Sequence, residues 1–337
     1  MSSRPEWSPR CDPISRISRR PSWTSSPLCS GGWVVSDAGA GAVLVTGATG
    51  TVGSSVVAEL RARGVTVIAA VRDPSTPAAR ALGVPLRPFD FDRSASRAAE
   101  AMKGVDRLFL LRPPPIADVA THLFPVIDAS RARGVRQVVF LSLQGVQFNR
   151  RTPHHAVEAY LRRTRTPSTF LRPNFFMQNL SSVRAAEIRD DDEVFVPAGR
   201  SRTAFIDARD IGRVAARVFT EPGHIGKAYT LSGEQSLGYR RVAQILGDVL
   251  GRPIRYARPK EEVYLERLRR NGAPQEYLAV QRMIYRIVRA NVSALPNRTV
   301  RRLTGRPATT FRQFAIDHRD VWMPDGVGGS LQPGPEA

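Results

Sequence analysis

The segment Thr46-Gly47-Ala48-Thr49-Gly50-Thr51-Val52-Gly53 spaces its glycines as GxxGxxG. It lies between an apolar run, Ala42-Val43-Leu44-Val45, and a stretch in which Val52, Val56, Val57 and Leu60 recur at helical spacing. That placement suits a pyrophosphate. Gly47 permits a tight turn, Gly50 lets the backbone approach a diphosphate with no side chain between, and Gly53 lets the helix pack closely on the strand. The anion then meets unpaired N–H groups and the positive end of a helix dipole. Three glycines can also mark a plain turn, but the strand before and the helix after favour dinucleotide binding. No Gly-Lys-Ser/Thr follows, so this is not a Walker-type loop. A second apolar run, over 66–71, ends at Arg72-Asp73, where the adenosine ribose should lie. An acid there receives the 2′-hydroxyl of NAD, whereas an arginine pairs with the 2′-phosphate of NADP. Arg72 comes first, so NADP (as NADPH) is favoured over NAD; the alternative is an ordinary surface Arg–Asp pair. Asp90, ending a third strand, is placed for the adenine amino group.

Alternating elements must position these groups. Short apolar runs over 42–46, 66–71, 85–89, 107–111 and 137–142 predict five strands, with amphipathic stretches between them. Ser94 is read as the cap of one such helix, and Pro125 should kink another, around Val119 to Ile127. Repeated strand–helix–strand units with short connections predict an α/β fold, a doubly wound parallel sheet of Rossmann type. After Ser142 the alternation loosens. Helices are expected over 155–163, 210–219, 239–250 and much of 261–292, and short strands over 168–172, 194–196 and 204–206. The expected organisation is a disordered tail over 1–40, a dinucleotide-binding domain over 41–180, a smaller, mostly helical substrate region over 181–322 that partly returns to the sheet, and a flexible tail over 323–337.

Composition removes several classes. The chain has 337 residues, 42% of them hydrophobic, enough for a substantial core. No run approaches the roughly 20 apolar residues of a membrane span, so no membrane role is expected. Cys11 and Cys29 are too few for a disulfide scaffold or a cysteine-rich zinc site, and no metal site is expected; a reducing cytoplasm fits. The net charge of +20 invites a nucleic-acid reading, but lysine occurs only at Lys103, Lys227 and Lys260. So arginine-rich a composition, with abundant Ala, Pro and Gly, reflects G+C-rich coding more readily than phosphate contacts. Charge alone gives only salt-sensitive, non-specific binding, and no specific nucleic acid is expected.

The sequence resembles the NmrA-like family, atypical members of the short-chain dehydrogenase/reductase superfamily. The resemblance covers about 42–320 and rests on VLVTGATGTVG (43–53), AAVRDP (69–74) and DFDRSASRAAEAMKGVDRLFLLRPP (90–114). It continues through GVRQVVFLSLQG (134–145), LRPNFFMQNL (171–180), AFIDARDIGRVAA (204–216) and GHIGKAYTLSG (223–233). It implies a cleft between a Rossmann domain and a smaller substrate domain. It carries cofactor roles onto Gly47, Thr49, Gly50, Thr51, Val52, Arg72 and Asp90. Leu111, Arg112, Pro113, Ser142 and Leu143 should line the nicotinamide side, with Pro173 and Asn174 closing over it.

One departure limits the chemistry. Typical members of the superfamily use Tyr-x-x-x-Lys, a tyrosine acid tuned by lysine. Here Tyr160 is followed by Thr164, and no lysine lies between Lys103 and Lys227. The remaining candidates are Tyr160 without its lysine, Ser142 as a hydrogen-bond donor, and His154 or His155 as proton shuttles, against the reading of the last three as a structural serine and a loop pair. Hydride transfer to a ketone needs a positioned acid. A quinone gives a stabilised anion that water can protonate, and cationic dyes or imines need no strong acid. The expected activity is therefore an NAD(P)H-dependent reductase acting on a quinone-like or other electron-poor small acceptor. The alternative is a non-catalytic NAD(P) redox sensor whose C-terminal region binds a regulatory protein partner.

Overall fold

Each early strand is a short apolar run that pairs in parallel with its neighbours, because the chain crosses back over the sheet as helix between one strand and the next. The computed structural model describes residues 41–91 and 95–324. The segment 1–40, the Ser94 cap and most of the expected C-terminal tail lie outside the described residues. The first strands are β1 (Ala42–Val45), β2 (Val67–Val71), β3 (Leu86–Pro88), β4 (Val105–Leu111), β5 (Gln137–Leu141) and β6 (Ser168–Pro173). Two-residue strands β7 (Glu193–Val194) and β8 (Arg202–Thr203) precede β9 (Ala228–Leu231), which returns to the sheet. The seven-stranded order is β3-β2-β1-β4-β5-β6-β9. Strand order reverses between β1 and β4, which makes the sheet doubly wound and opens a crevice at their carboxyl ends.

The connecting helices are α1 (Thr51–Ala62), α2 (Pro77–Arg80), α3 (Ala95–Ala101), α4 (Val119–His122), α5 (Phe124–Ala132) and α6 (Pro153–Arg163). α7 (Gln178–Ser181), α8 (Ala185–Asp190) and α9 (Ala208–Thr220) lie between β6 and β9. Alternate residues of β5 serve opposite faces. Val139 and Leu141 join Val56 and Leu60 of α1 and Val214 of α9, while Val138 and Phe140 join Ile127 of α5 and Val157 and Leu161 of α6. A strand buried on both sides reads as a continuous apolar run, as this one does.

The remaining elements are β10 (Leu237–Gly238), α10 (Tyr239–Leu250), β11 (Arg255–Tyr256), α11 (Glu261–Arg270), α12 (Gln275–Arg289), α13 (Thr299–Thr304) and α14 (Phe311–Asp317). A third apolar cluster gathers Phe205, Leu246, Tyr264, Tyr285, Phe314 and Trp322. β7 pairs with β11 and β8 with β10. Among the described residues no helix is long and apolar enough to cross a membrane.

Several expected elements shift. The segment around Pro125 is two helices, not one kinked helix. Pro125 sits in the first turn of α5, where its missing N–H costs nothing, so it starts a helix. His154 and His155 are not a loop pair. Thr152 caps α6 by accepting from the His155 N–H, with Pro153 as first residue, so both histidines are helical. The stretch expected to be mainly helical over 261–292 is two helices, α11 and α12, with Pro274 directly before the second. Val196, Ala204 and Ile206 are buried but form no regular strand; Ile206 makes a single bridge to Phe176. Their apolar character is spent on packing rather than on a ladder.

Candidate functional site

The glycine turn sits at the strand-order reversal. Gly47 has φ +58°, and its carbonyl accepts from the Gly50 N–H at 3.0 Å. A Cβ at Gly53 would stand 2.0 Å from that same carbonyl oxygen, so only glycine lets α1 start this close to the turn. Thr46 fixes the turn against β4: its Oγ1 donates to the Phe109 carbonyl at 3.0 Å and accepts from the Leu111 N–H at 2.9 Å. Val52 is buried and anchors the helix, while Thr49, Gly50 and Thr51 are exposed. Gly50 offers α1 no side-chain cap, and no acidic residue stands in the first turn. The first-turn N–H groups are thus available to an anion, and the site fits a dinucleotide's diphosphate.

At the next strand ends stand Arg72, exposed directly after β2, and Asp90, half-buried after β3. Asp73 is turned into its own loop. One carboxylate oxygen accepts from the Ser75 N–H at 2.8 Å and the Ser75 hydroxyl at 2.7 Å, and these bonds hold the carboxyl below its usual range. Arg72 and Asp73 are both exposed, and Asp73 has one oxygen engaged by Ser75.

The other side of the crevice is built from the ends of β4, β5 and β6, adjacent in the sheet. The Arg112 guanidinium folds back to donate to the Pro113 and Pro114 carbonyls, each at 3.0 Å, and to the Ile116 carbonyl. Ser142 is buried, and its hydroxyl donates to Glu158 Oε1 at 2.6 Å. Leu143 is half-buried, and Pro173 is buried with its carbonyl accepting from the Gln144 N–H at 2.9 Å. Asn174 is committed on both sides of its amide: Nδ2 donates to the Ser293 carbonyl and Oδ1 accepts from the Phe175 N–H, each at 2.8 Å. It thereby ties the end of β6 to the C-terminal region.

Glu158 had not been singled out among the candidate residues. Its buried carboxylate accepts from Ser142, from Arg172 Nε at 3.0 Å and Nη2 at 2.6 Å, and from Arg162 Nη2 at 2.7 Å. Burial opposes its charge, but the bonds from Arg172 and Ser142 prevail and hold its pKa below the usual range. One turn earlier on α6, His154 is pushed down to about 4, by burial first and then by the Arg112 charge. At neutral pH it carries no proton to give as imidazolium. His155 Nδ1 lies 3.2 Å from the Val146 carbonyl. Tyr160 faces elsewhere: its ring stacks on Phe124 at 3.8 Å and its hydroxyl donates to Asp128 at 2.7 Å, a bond that raises its pKa. Thr164, where a lysine would stand, bonds back to the Tyr160 carbonyl at 2.8 Å. Among the described residues no group of His, Cys, Asp and Glu could hold a metal ion.

The doubly wound parallel sheet, with its glycine turn at the reversal, defines a Rossmann-type fold. The chain belongs to the NmrA-like family, whose model matches residues 40–290. It is 33% identical over 285 residues to the NAD(P)H azoreductase of Xenophilus azovorans, covering 82% of this chain and 97% of that protein. An NADPH-dependent quinone oxidoreductase from Escherichia coli, solved with NADPH, superposes with a TM-score of 0.73 at 25% identity, over 82% of this chain and 99% of that one. The negative transcriptional regulator NmrA, solved with NADP, has the same fold, with a TM-score of 0.68 at 18% identity over 82% of this chain and 94% of that one.

Proposed function

We propose that the chain is an NADPH-dependent reductase that delivers hydride to a quinone-like or other electron-poor small acceptor. One observation carries this reading: a dinucleotide crevice whose reacting end offers no tuned acid. Tyr160 is bonded to Asp128, the Ser142 proton is committed to Glu158, and His154 is neutral at physiological pH. The names of the similar azoreductase and quinone oxidoreductase support the same class of reaction and the same cofactor.

In this reading the first-turn N–H groups of α1, from Thr51 onward, hold the diphosphate, with Gly47, Thr49 and Gly50 shaping the turn and Val52 anchoring it. Arg72 pairs with the 2′-phosphate, and Asp90 accepts from the adenine amino group. Leu111, Arg112, Pro113, Ser142, Leu143, Pro173 and Asn174 line the reacting end. NADPH, when bound, supplies the hydride. The residues themselves align the reactants and exclude water, which suffices for acceptors whose reduced anion needs no immediate proton. Residues 41–180 form the cofactor domain and 181–322 the substrate region, and the enzyme works in the reducing cytoplasm.

A panel of quinones, imines and dyes, each offered with NADPH and with NADH, tests the proposal. Sustained oxidation of NADPH with at least one acceptor is expected. Tight binding of NADPH without turnover on any of them would instead make the chain a cofactor sensor.

A further inference from the structure

Ser142 has one hydrogen, and it points at Glu158. The carboxylate receives the serine and the Nε–Nη2 edge of the Arg172 guanidinium, so it cannot turn away without breaking a buried fork. We propose that Glu158 is a positioning residue that holds Ser142 as a hydrogen-bond acceptor, so that the end of β5 offers no hydrogen bond to the oxyanion of a reduced quinone, which turns over more slowly than a cationic acceptor that develops none. This rests on the reductase reading. Hydride transfer oxidises NADPH to NADP⁺ and leaves a quinone as its hydroquinone monoanion, which must take one proton from water; a cationic dye is simply neutralised and needs none. With its hydrogen committed to Glu158, Ser142 gives the first outcome no hydrogen bond, and the second needs none.

Glu158→Gln reverses the arrangement for a stated reason. An amide nitrogen at the Oε2 position would confront two donors, Arg172 Nη2 and Arg162 Nη2, whereas at the Oε1 position it confronts only Arg172 Nε. The nitrogen therefore turns toward Ser142 and donates to it, and the serine hydrogen is released.

The test compares kcat for menadione, a neutral quinone, with kcat for malachite green, a cationic dye. In the native chain, turnover of either one answers the reductase question separately. In Glu158→Gln the menadione-to-dye ratio should rise about tenfold, a modest fraction of what a well-placed oxyanion donor provides. In the Ser142→Ala background the same substitution should leave the ratio unchanged. A second readout needs no turnover: the pKa of 4-nitrophenol bound to the protein, read from its absorbance, should fall in Glu158→Gln by more than it does when Ser142 is alanine. Equal losses on both acceptors, or a gain that persists without Ser142, would overturn the proposal. Should Glu158→Gln fail to fold, Ser142→Ala alone decides. It should leave the ratio where it is, and a selective loss on menadione would show that Ser142 donates after all.

Discussion

Gly53→Ala adds a single methyl group at the tightest point of the crevice. Its Cβ would lie 2.0 Å from the Gly47 carbonyl oxygen, 2.7 Å from the Gly47 carbonyl carbon and 2.9 Å from Ala48 Cα. Ordinary contact is about 3.4 Å or more, so turn and helix must separate by roughly 1.4 Å. The helix cannot readily yield, because Val52, Val56, Val57 and Leu60 are buried in the core. The turn moves instead, and with it the carbonyl that accepts the Gly50 N–H at 3.0 Å. Overpacking of this kind costs about 1 to 3 kcal/mol of stability. Displacement of the diphosphate-binding N–H groups by about 1 Å should weaken NADPH by roughly a hundredfold. Isothermal titration of NADPH, beside a urea melt, separates the two effects. An affinity within threefold of the native value would show that this turn does not hold the cofactor.

Three further outcomes follow from other parts of the site. Arg72→Ala should weaken NADPH by roughly 10- to 100-fold, the worth of a charge-assisted bond of about 1.5 to 3 kcal/mol, and leave NADH nearly unaffected; equal losses in a fluorescence titration would remove Arg72 from the phosphate. Tyr160→Phe should cost less than tenfold in kcat, because its hydroxyl is spent on Asp128; a loss in the ~10² to 10⁴ range of a positioned acid would restore it as catalyst. His154 titrates at about 4 in the fold against 6.5 in the open chain. The unfolded state therefore takes the proton first as pH falls, so stability declines from about pH 6.5 toward 4, by at most about 3 kcal/mol. Melting His154→Gln against the native chain across that range should show a flatter profile in the variant, and parallel profiles would contradict the assignment.

The cofactor half of the site was legible because its signals are local. A glycine turn between an apolar run and a helical stripe is written in consecutive residues, and so is Arg72 at the end of its strand. The reacting half was not. Glu158 sits among Tyr160, Arg162 and Arg163 and reads as solvated surface charge; its burial depends on Arg172, which arrives on β6. The start of α6 was misplaced despite a local signal, since Thr152-Pro153 is a cap followed by a favoured first helical residue. The two-residue ladders β7–β11 and β8–β10 had no such signal, because each joins segments far apart in the chain. The short runs that form them carry no period of their own.

The central claim is that hydride leaves NADPH on this protein and reaches a small acceptor without a protein acid. Its most direct measurement is the solvent pH dependence of NADPH oxidation under single-turnover conditions, with menadione as acceptor and the chain in excess. The account predicts saturable oxidation at a rate that stays flat between about pH 6 and 9, because no protein group hands the acceptor a proton. A rate that collapses with one ionisation inside that window, or no oxidation at all by a chain that holds NADPH tightly, would contradict it.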